Sequence, residues 1–175
     1  AVLDTPEIYT VRFKEVATGR LLDDLIRNVG VSITSERLVW TADSRGLIYN
    51  EVDGSGRVWR ARIHWLGQIP DSGQMLFEEP DPAFFLAIRQ TTSGRFALIN
   101  SASVDTAEVR LLDRNTLAAP RLVRPRQAGC IYVVDHGGGD TLDILTNDIH
   151  PNFRLVTAPL VQPDRWSELL LPQDR

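Results

Sequence analysis

The 175-residue sequence predicts an all-β chain built from repeated four-stranded units, and three observations carry that prediction. Helix signals are almost absent: no long stretch keeps apolar residues at i, i+3, i+4 and i+7. Short alternating or apolar runs, separated by Gly, Asp, Asn, Ser and Pro, dominate instead. One strand pattern, apolar-Arg-apolar, recurs at Thr10-Val11-Arg12-Phe13, Val58-Trp59-Arg60-Ala61-Arg62, Glu108-Val109-Arg110-Leu111-Leu112-Asp113 and Asn152-Phe153-Arg154-Leu155-Val156. Its arginines at 12, 60, 110 and 154 stand 48, 50 and 44 residues apart. A period of that size with only strands inside it is the signature of a propeller blade, so the fold class is a partial β-propeller.

In chain order, Ile8 to Lys14 and Leu21 to Ile26 form a hairpin around Ala17-Thr18-Gly19, half a blade over residues 1–30. A full blade over 31–80 begins near Ser32. Its strands are Arg37 to Trp40, Leu47 to Tyr49, Arg57 to Trp65 and Gln74 to Glu78, with turns at Asp43-Ser44-Arg45-Gly46 and Asp53-Gly54-Ser55-Gly56. The blade over 81–125 takes Ala83 to Gln90, Arg95 to Asn100, Ala107 to Leu112 and Arg121 to Arg124. The last, over 126–175, takes Cys130 to Asp135, Leu142 to Thr146, Phe153 to Ala158 and Trp166 to Leu171, turning first at Gly137-Gly138-Gly139-Asp140. About three and a half four-stranded antiparallel blades fall below the ~4–8 of a closed propeller, so the chain reads as an internal slice of a larger one. Such a slice has an open sheet edge at each end, and open edges favour self-association.

Bulk properties narrow the function. A net charge of −4 offers no basic field for a phosphate backbone, which excludes nucleic acid as the expected partner. The longest apolar runs are far too short to span a membrane, and no secretory leader is visible, so a cytoplasmic location is expected. The single cysteine, Cys130, cannot form an internal disulfide and reads as a buried, inert thiol.

Each chemical candidate has a plainer structural reading. No G-x-S-x-G elbow is present; Gly54-Ser55-Gly56 lies between strands and reads as a hairpin tip. His64, His136 and His150 fall on different units, on strand ends and loops, with no ligand spacing for zinc. Asp53-Gly54-Ser55-Gly56 lacks the far acid of a calcium loop, and Gly137-Gly138-Gly139-Asp140 lacks the lysine and helix start of a phosphate cradle. Trp40, Trp59, Trp65 and Trp166 read as core wedges between blades. Arg12, Arg60, Arg110 and Arg154 read as structural arginines paired with acids such as Glu108 or Asp113. The sharper alternative places some of them in a central channel or against a further domain. No catalytic, cofactor-binding or metal residue is assigned, and no cofactor is expected.

An ordered set of segments carries a family likeness. Thr106-Ala107-Glu108-Val109-Arg110-Leu111-Leu112-Asp113 is joined by Tyr9 to Lys14 with Ala17-Thr18-Gly19, by Val39 to Asp43 with Leu47-Ile48-Tyr49, and by Phe77-Glu78-Glu79-Pro80-Asp81. Val134-Asp135-His136, Ile144 to Asn147, Asn152 to Leu155 and Trp166 to Leu169 follow in the same register. Together they resemble the N-terminal propeller of the prolyl oligopeptidase family, in its oligopeptidase B (protease II) branch. The glycine run at 137–139 departs from that pattern. The resemblance implies a serine peptidase (a hydrolase) of bacterial type with two domains. One is a seven-bladed propeller. The other is an α/β-hydrolase catalytic domain, the expected partner, which holds the Ser-Asp-His triad that this chain lacks. It further implies short peptide substrates, cleavage after Arg or Lys, and a propeller that gates access by size. The rival readings are a stand-alone propeller-like interaction module and a propeller-bearing glycosidase, which would need two convergent carboxylates.

Overall fold

The computed structural model describes residues 8–30 and 38–170. The predicted blade start near Ser32, Arg37 at the head of its first strand, and Leu171 at the end of the last strand lie outside those residues. The chain divides into two compact units, Ala1–Arg89 and Gln90–Arg175.

The first unit contains β1 (Ile8–Lys14), β2 (Leu21–Gly30), β3 (Leu38–Trp40), β4 (Gly46–Val52), β5 (Val58–Trp65) and β6 (Gln74–Glu78). They form one sheet in the order β1-β2-β4-β5-β6, with β3 also on β4. The hairpin expected to stand as half a blade is therefore hydrogen-bonded into the next sheet. Among the described residues, Val29 pairs with Glu51 at the junction, while Leu38, Val39 and Trp40 pair with Tyr49, Ile48 and Leu47. Arg27 to Gly30 make this possible by extending β2 past its predicted end. Asn28 adopts φ 55°, a left-handed turn that asparagine tolerates, and the ladder with β1 shifts between Tyr9 and Val11. Gly30 then passes so close to the next strands that a Cβ would stand 2.6 Å from Val52 Cγ1 and 2.7 Å from Val58 Cγ2. Only glycine fits there. Phe13, Ile26, Val29, Leu47 and Tyr49 form a core in this unit.

The boundary between the units falls within β7 (Phe85–Gln90). The second unit continues with β8 (Phe96–Ala102), β9 (Ala107–Asp113), β10 (Arg121–Arg124), β11 (Tyr132–Asp135), β12 (Thr141–Thr146), β13 (Arg154–Pro159) and β14 (Ser167–Leu170). Two antiparallel four-stranded sheets result, in the orders β10-β9-β8-β7 and β11-β12-β13-β14. Each is a meander of consecutive strands, the construction of a propeller blade. Apolar faces of consecutive blades meet in one core: Phe96, Leu98 and Val109 from one, Val134, Ile144 and Val156 from the other. The phenol of Tyr132 fastens them. It accepts the Val109 N–H at 3.0 Å and donates to the Arg124 carbonyl at 2.5 Å. The turn at Thr92-Ser93 fastens them again. Thr92 reaches the Asp135 carboxylate at 2.6 Å, and the Ser93 N–H donates to the His136 carbonyl at 2.8 Å. The architecture is all-β, a partial β-propeller.

Candidate functional site

The recurrent arginines fall on β1 and on the third strand of each following blade, and three of them are held by carboxylates. On β5, Arg60 donates Nε to Glu78 at 2.7 Å and lies 3.7 Å from Glu51, which also takes Arg62 at 3.1 Å. Its guanidinium stacks over the Trp59 ring at 3.7 Å. On β9, Arg110 lies 2.6 Å from Glu108 two residues earlier, on the same face of the strand. On β13, Arg154 grips Asp148 with Nε and Nη2, both at 2.9 Å, and reaches Glu168 at 3.4 Å. Such two-point pairing is the strong form of an ion pair. Glu108 is the partner that the sequence indicates. Asp113 is not: it pairs with Arg95 at 3.2 Å. Arg12 is exposed on β1, at the rim of a cavity of about 460 Å³ in the first unit, with Phe13, Leu22 and Trp40 in its wall.

The electrostatics follow this pairing. The Arg154 hydrogen bond holds the Asp148 carboxyl below its usual value despite partial burial, and Asp148 in return raises Arg154. For Glu108, burial pushes upward. The Arg126 backbone N–H, the Arg126 side chain and the nearby Arg110 outweigh it, and the carboxyl stays low. Glu108 and Asp148 are thus held as anions in a scaffold, where a general acid would need a proton to give.

The histidines fall at strand ends and in a loop, as their sequence positions indicate, and His64 and His136 are buried there. His64, the penultimate residue of β5, is fully buried, with Nε2 donating to Asp24 at 2.8 Å and its ring stacked on Phe13 at 5.7 Å. Asp24 also accepts the Gly67 N–H at 2.8 Å. His136, buried at the end of β11, shares a 2.6 Å hydrogen bond with Ser93 Oγ, while its Nε2 is 3.1 Å from the Gly139 carbonyl. His150 sits in the β12–β13 loop, where Nδ1 accepts the Asn152 N–H at 3.1 Å. Among the described residues, no three His, Cys, Asp or Glu side chains converge as a metal site. Asp53 accepts the Ser55 N–H at 2.8 Å and the Arg57 N–H at 3.1 Å, so its loop is a hairpin tip. Gly138 and Gly139 turn with φ 143° and 73°, which only glycine adopts readily. Cys130 is buried, 3.7 Å from Thr146 Oγ1. The tryptophans reach the core to different extents: Trp166 is half-buried and packs against the core shared by the last two blades, Trp40 is 39% exposed with its ring against Phe13, and Trp59 and Trp65 are half-buried. Two of the rings also carry a guanidinium, Arg60 over Trp59 and Arg124 4.2 Å above Trp166.

A second cavity, of about 340 Å³, opens in the second unit between the two blades, beside Arg95 and Arg121. The sequence gives no sign of it, because its walls come from four separate segments.

These features define a propeller segment whose buried charges serve the scaffold. The described residues contain no assembled catalytic constellation. The family model described as "Prolyl oligopeptidase, N-terminal beta-propeller domain" matches residues 3–175. The chain belongs to the prolyl oligopeptidase family and is part of its propeller domain. It is 35% identical over 158 residues to Protease 2 of Moraxella lacunata, covering 90% of this chain and 22% of that protein. It is 31% identical to dipeptidyl aminopeptidase BI of Pseudoxanthomonas mexicana, covering 95% and 23%. Among solved structures, oligopeptidase B from Leishmania major superposes with a TM-score of 0.87 at 31% identity, over 95% of this chain and 23% of that one. Oligopeptidase B from Trypanosoma brucei, in a closed form with covalently bound antipain, gives 0.83 at 28% identity, over 97% and 23%. The chain thus spans less than a quarter of the length of these relatives.

Proposed function

We propose that this chain is the non-catalytic wall of a serine oligopeptidase. In that role it lies over an α/β-hydrolase active site, admits short peptides and excludes folded proteins by size, and the complete enzyme cuts after Arg or Lys. The carrying observation is the agreement in fold with oligopeptidase B from Leishmania major, a TM-score of 0.87 over 95% of the chain. The buried carboxylate–arginine pairs support a rigid wall, since an exclusion device must hold its shape. The isolated chain should show no turnover of Arg- or Lys-containing model peptides. Exchanging it for the matching segment of Moraxella lacunata Protease 2 should yield a hybrid that cleaves short peptides and spares a folded protein. A hybrid that degrades the folded protein at a comparable rate would sink the gating role.

Self-association through open edges belongs to the same proposal. β14 is exposed along its length, with Leu169 at 53% and Leu170 at 63%. Sedimentation should show dimers or larger species at high concentration; a clean monomer would count against it.

A further inference from the structure

The 340 Å³ groove in the second unit combines an apolar floor with a cationic rim. Its floor is apolar: Phe96, Leu111 and Leu160 are nearly buried, and Val161 is 83% exposed at the mouth. Ala118 and Ala119 keep one wall shallow. The loop that presents them is strained at Leu117, whose φ of 51° is unusual for a bulky side chain. Its N–H donates to the Asp113 carbonyl at 2.9 Å, which holds the loop there.

The rim is cationic. Two guanidiniums, Arg95 and Arg121, face one carboxylate, Asp113. That carboxylate is already engaged by the Asn115 N–H at 2.9 Å, the Thr116 N–H at 3.3 Å and Arg95 Nε at 3.2 Å. Arg121 uses Nη2 to hold the Leu160 carbonyl. Each guanidinium has five N–H donors in a planar fork, so both retain capacity for a further planar anion. The Arg95 side chain is 47% exposed and accessible to one. The volume suits a small ligand. Arg121 begins β10, the terminal strand of its sheet, whose outer edge can take a peptide backbone.

We propose that this groove is an accessory site for the free C-terminal carboxylate of a short peptide ending in an apolar residue. The terminal side chain lies on Leu160 and Val161, beside the Phe96 ring that the Arg95 guanidinium covers at 4.8 Å, the carboxylate is bound by Arg121 and Arg95, and the backbone runs along β10. The site lies between blades and is independent of the gating role proposed above.

Calorimetric titration of the chain with N-acetyl-Ala-Leu tests this directly. The free acid should bind saturably, and its C-terminal amide about tenfold or more weakly, since a charge-assisted bidentate contact is lost. Arg121→Gln, at an exposed side chain, should reduce binding of the acid to the level of the amide. Ala119→Phe should fill the groove and abolish binding of both, with circular dichroism unchanged for each variant. Equal binding of acid and amide, an unaltered affinity in Arg121→Gln, or no saturable binding at millimolar peptide would each overturn the proposal. Octanoate binding as tightly as the peptide would overturn the assignment to a peptide. Success here with a failed hybrid peptidase, or the reverse, separates this site from the gating role.

Discussion

β8 and β12 are the same strand of successive blades, yet they meet solvent differently. β8, Phe96-Ala97-Leu98-Ile99-Asn100-Ser101-Ala102, is buried on both faces over most of its length. β12, Thr141-Leu142-Asp143-Ile144-Leu145-Thr146, alternates strictly between exposed and buried. The sequences already differ in that sense: a continuous apolar run against a period-two pattern. The open face of the last blade is not uniformly polar, however. Register places Val133, Leu145, Leu155 and Leu170 in one row across all four strands, beside a row of Asp135, Asp143, Thr157 and Ser167. One blade is finished on both sides, and the other keeps a half-covered apolar stripe.

The sharpest way to break this comparison is to truncate equivalent leucines. Leu98→Ala, at a fully buried site, should cost about 2–5 kcal/mol in urea denaturation. Leu145→Ala, at a site 46% exposed, should cost about 0.5 kcal/mol or less. Equal losses would mean that the last blade is covered.

Acid should reveal a smaller difference. A carboxyl held below its ordinary value adds stability that is present above that value and disappears as pH falls through the lowered one. Asp148, held down chiefly by Arg154, should lose its contribution below its usual 3.8. The urea midpoint of the native chain should therefore fall from about pH 4 downward, and Asp148→Asn should flatten that fall. A variant with the native pH profile would assign the acid sensitivity to the other carboxyls held low, Glu108 and Asp113 in the preceding blade and Asp43, Asp53 and Asp71 in the first unit.

Thr92→Val removes one hydroxyl from the Asp135 clamp and should cost roughly 0.5–1.5 kcal/mol, read from the same midpoint. The smallest effect belongs to the open stripe. Leu145→Lys should leave the midpoint within about 0.5 kcal/mol while lowering the sedimentation coefficient at high concentration. If only stability changes, the stripe has no part in association.

Much of this fold was legible because blades are local objects. β1, β6 and β10 span the residues that alternation and turn signals indicate, and the arginine period marks the third strands. What stayed hidden depends on distance in sequence. Nothing near His64 announces that Asp24, 40 residues earlier, will accept its proton-bearing nitrogen. The extension of β2 rests on Gly30 fitting against Val52 and Val58, a contact that no strand pattern encodes. Bulk marks the tryptophans as packing residues, but it does not reveal that Trp59 and Trp166 will also lie under a guanidinium. The partners of Arg154 come from a loop and a later strand, so its recurrence was readable and its ion pair was not.

The clamp made by Tyr132 has a spectroscopic consequence. Burial pushes its phenol up to about 12, and burial does the same to Tyr49 in the first unit. A raised value means stability that is complete below the ordinary 10 and lost as pH climbs toward 12. Of the three tyrosines, Tyr9 alone is well exposed. Phenolate absorbance recorded on native protein, beside Tyr49→Phe and Tyr132→Phe, therefore provides each unit with its own optical gauge. The order in which the two signals rise in alkali reads out which half of the chain opens first, without any added label.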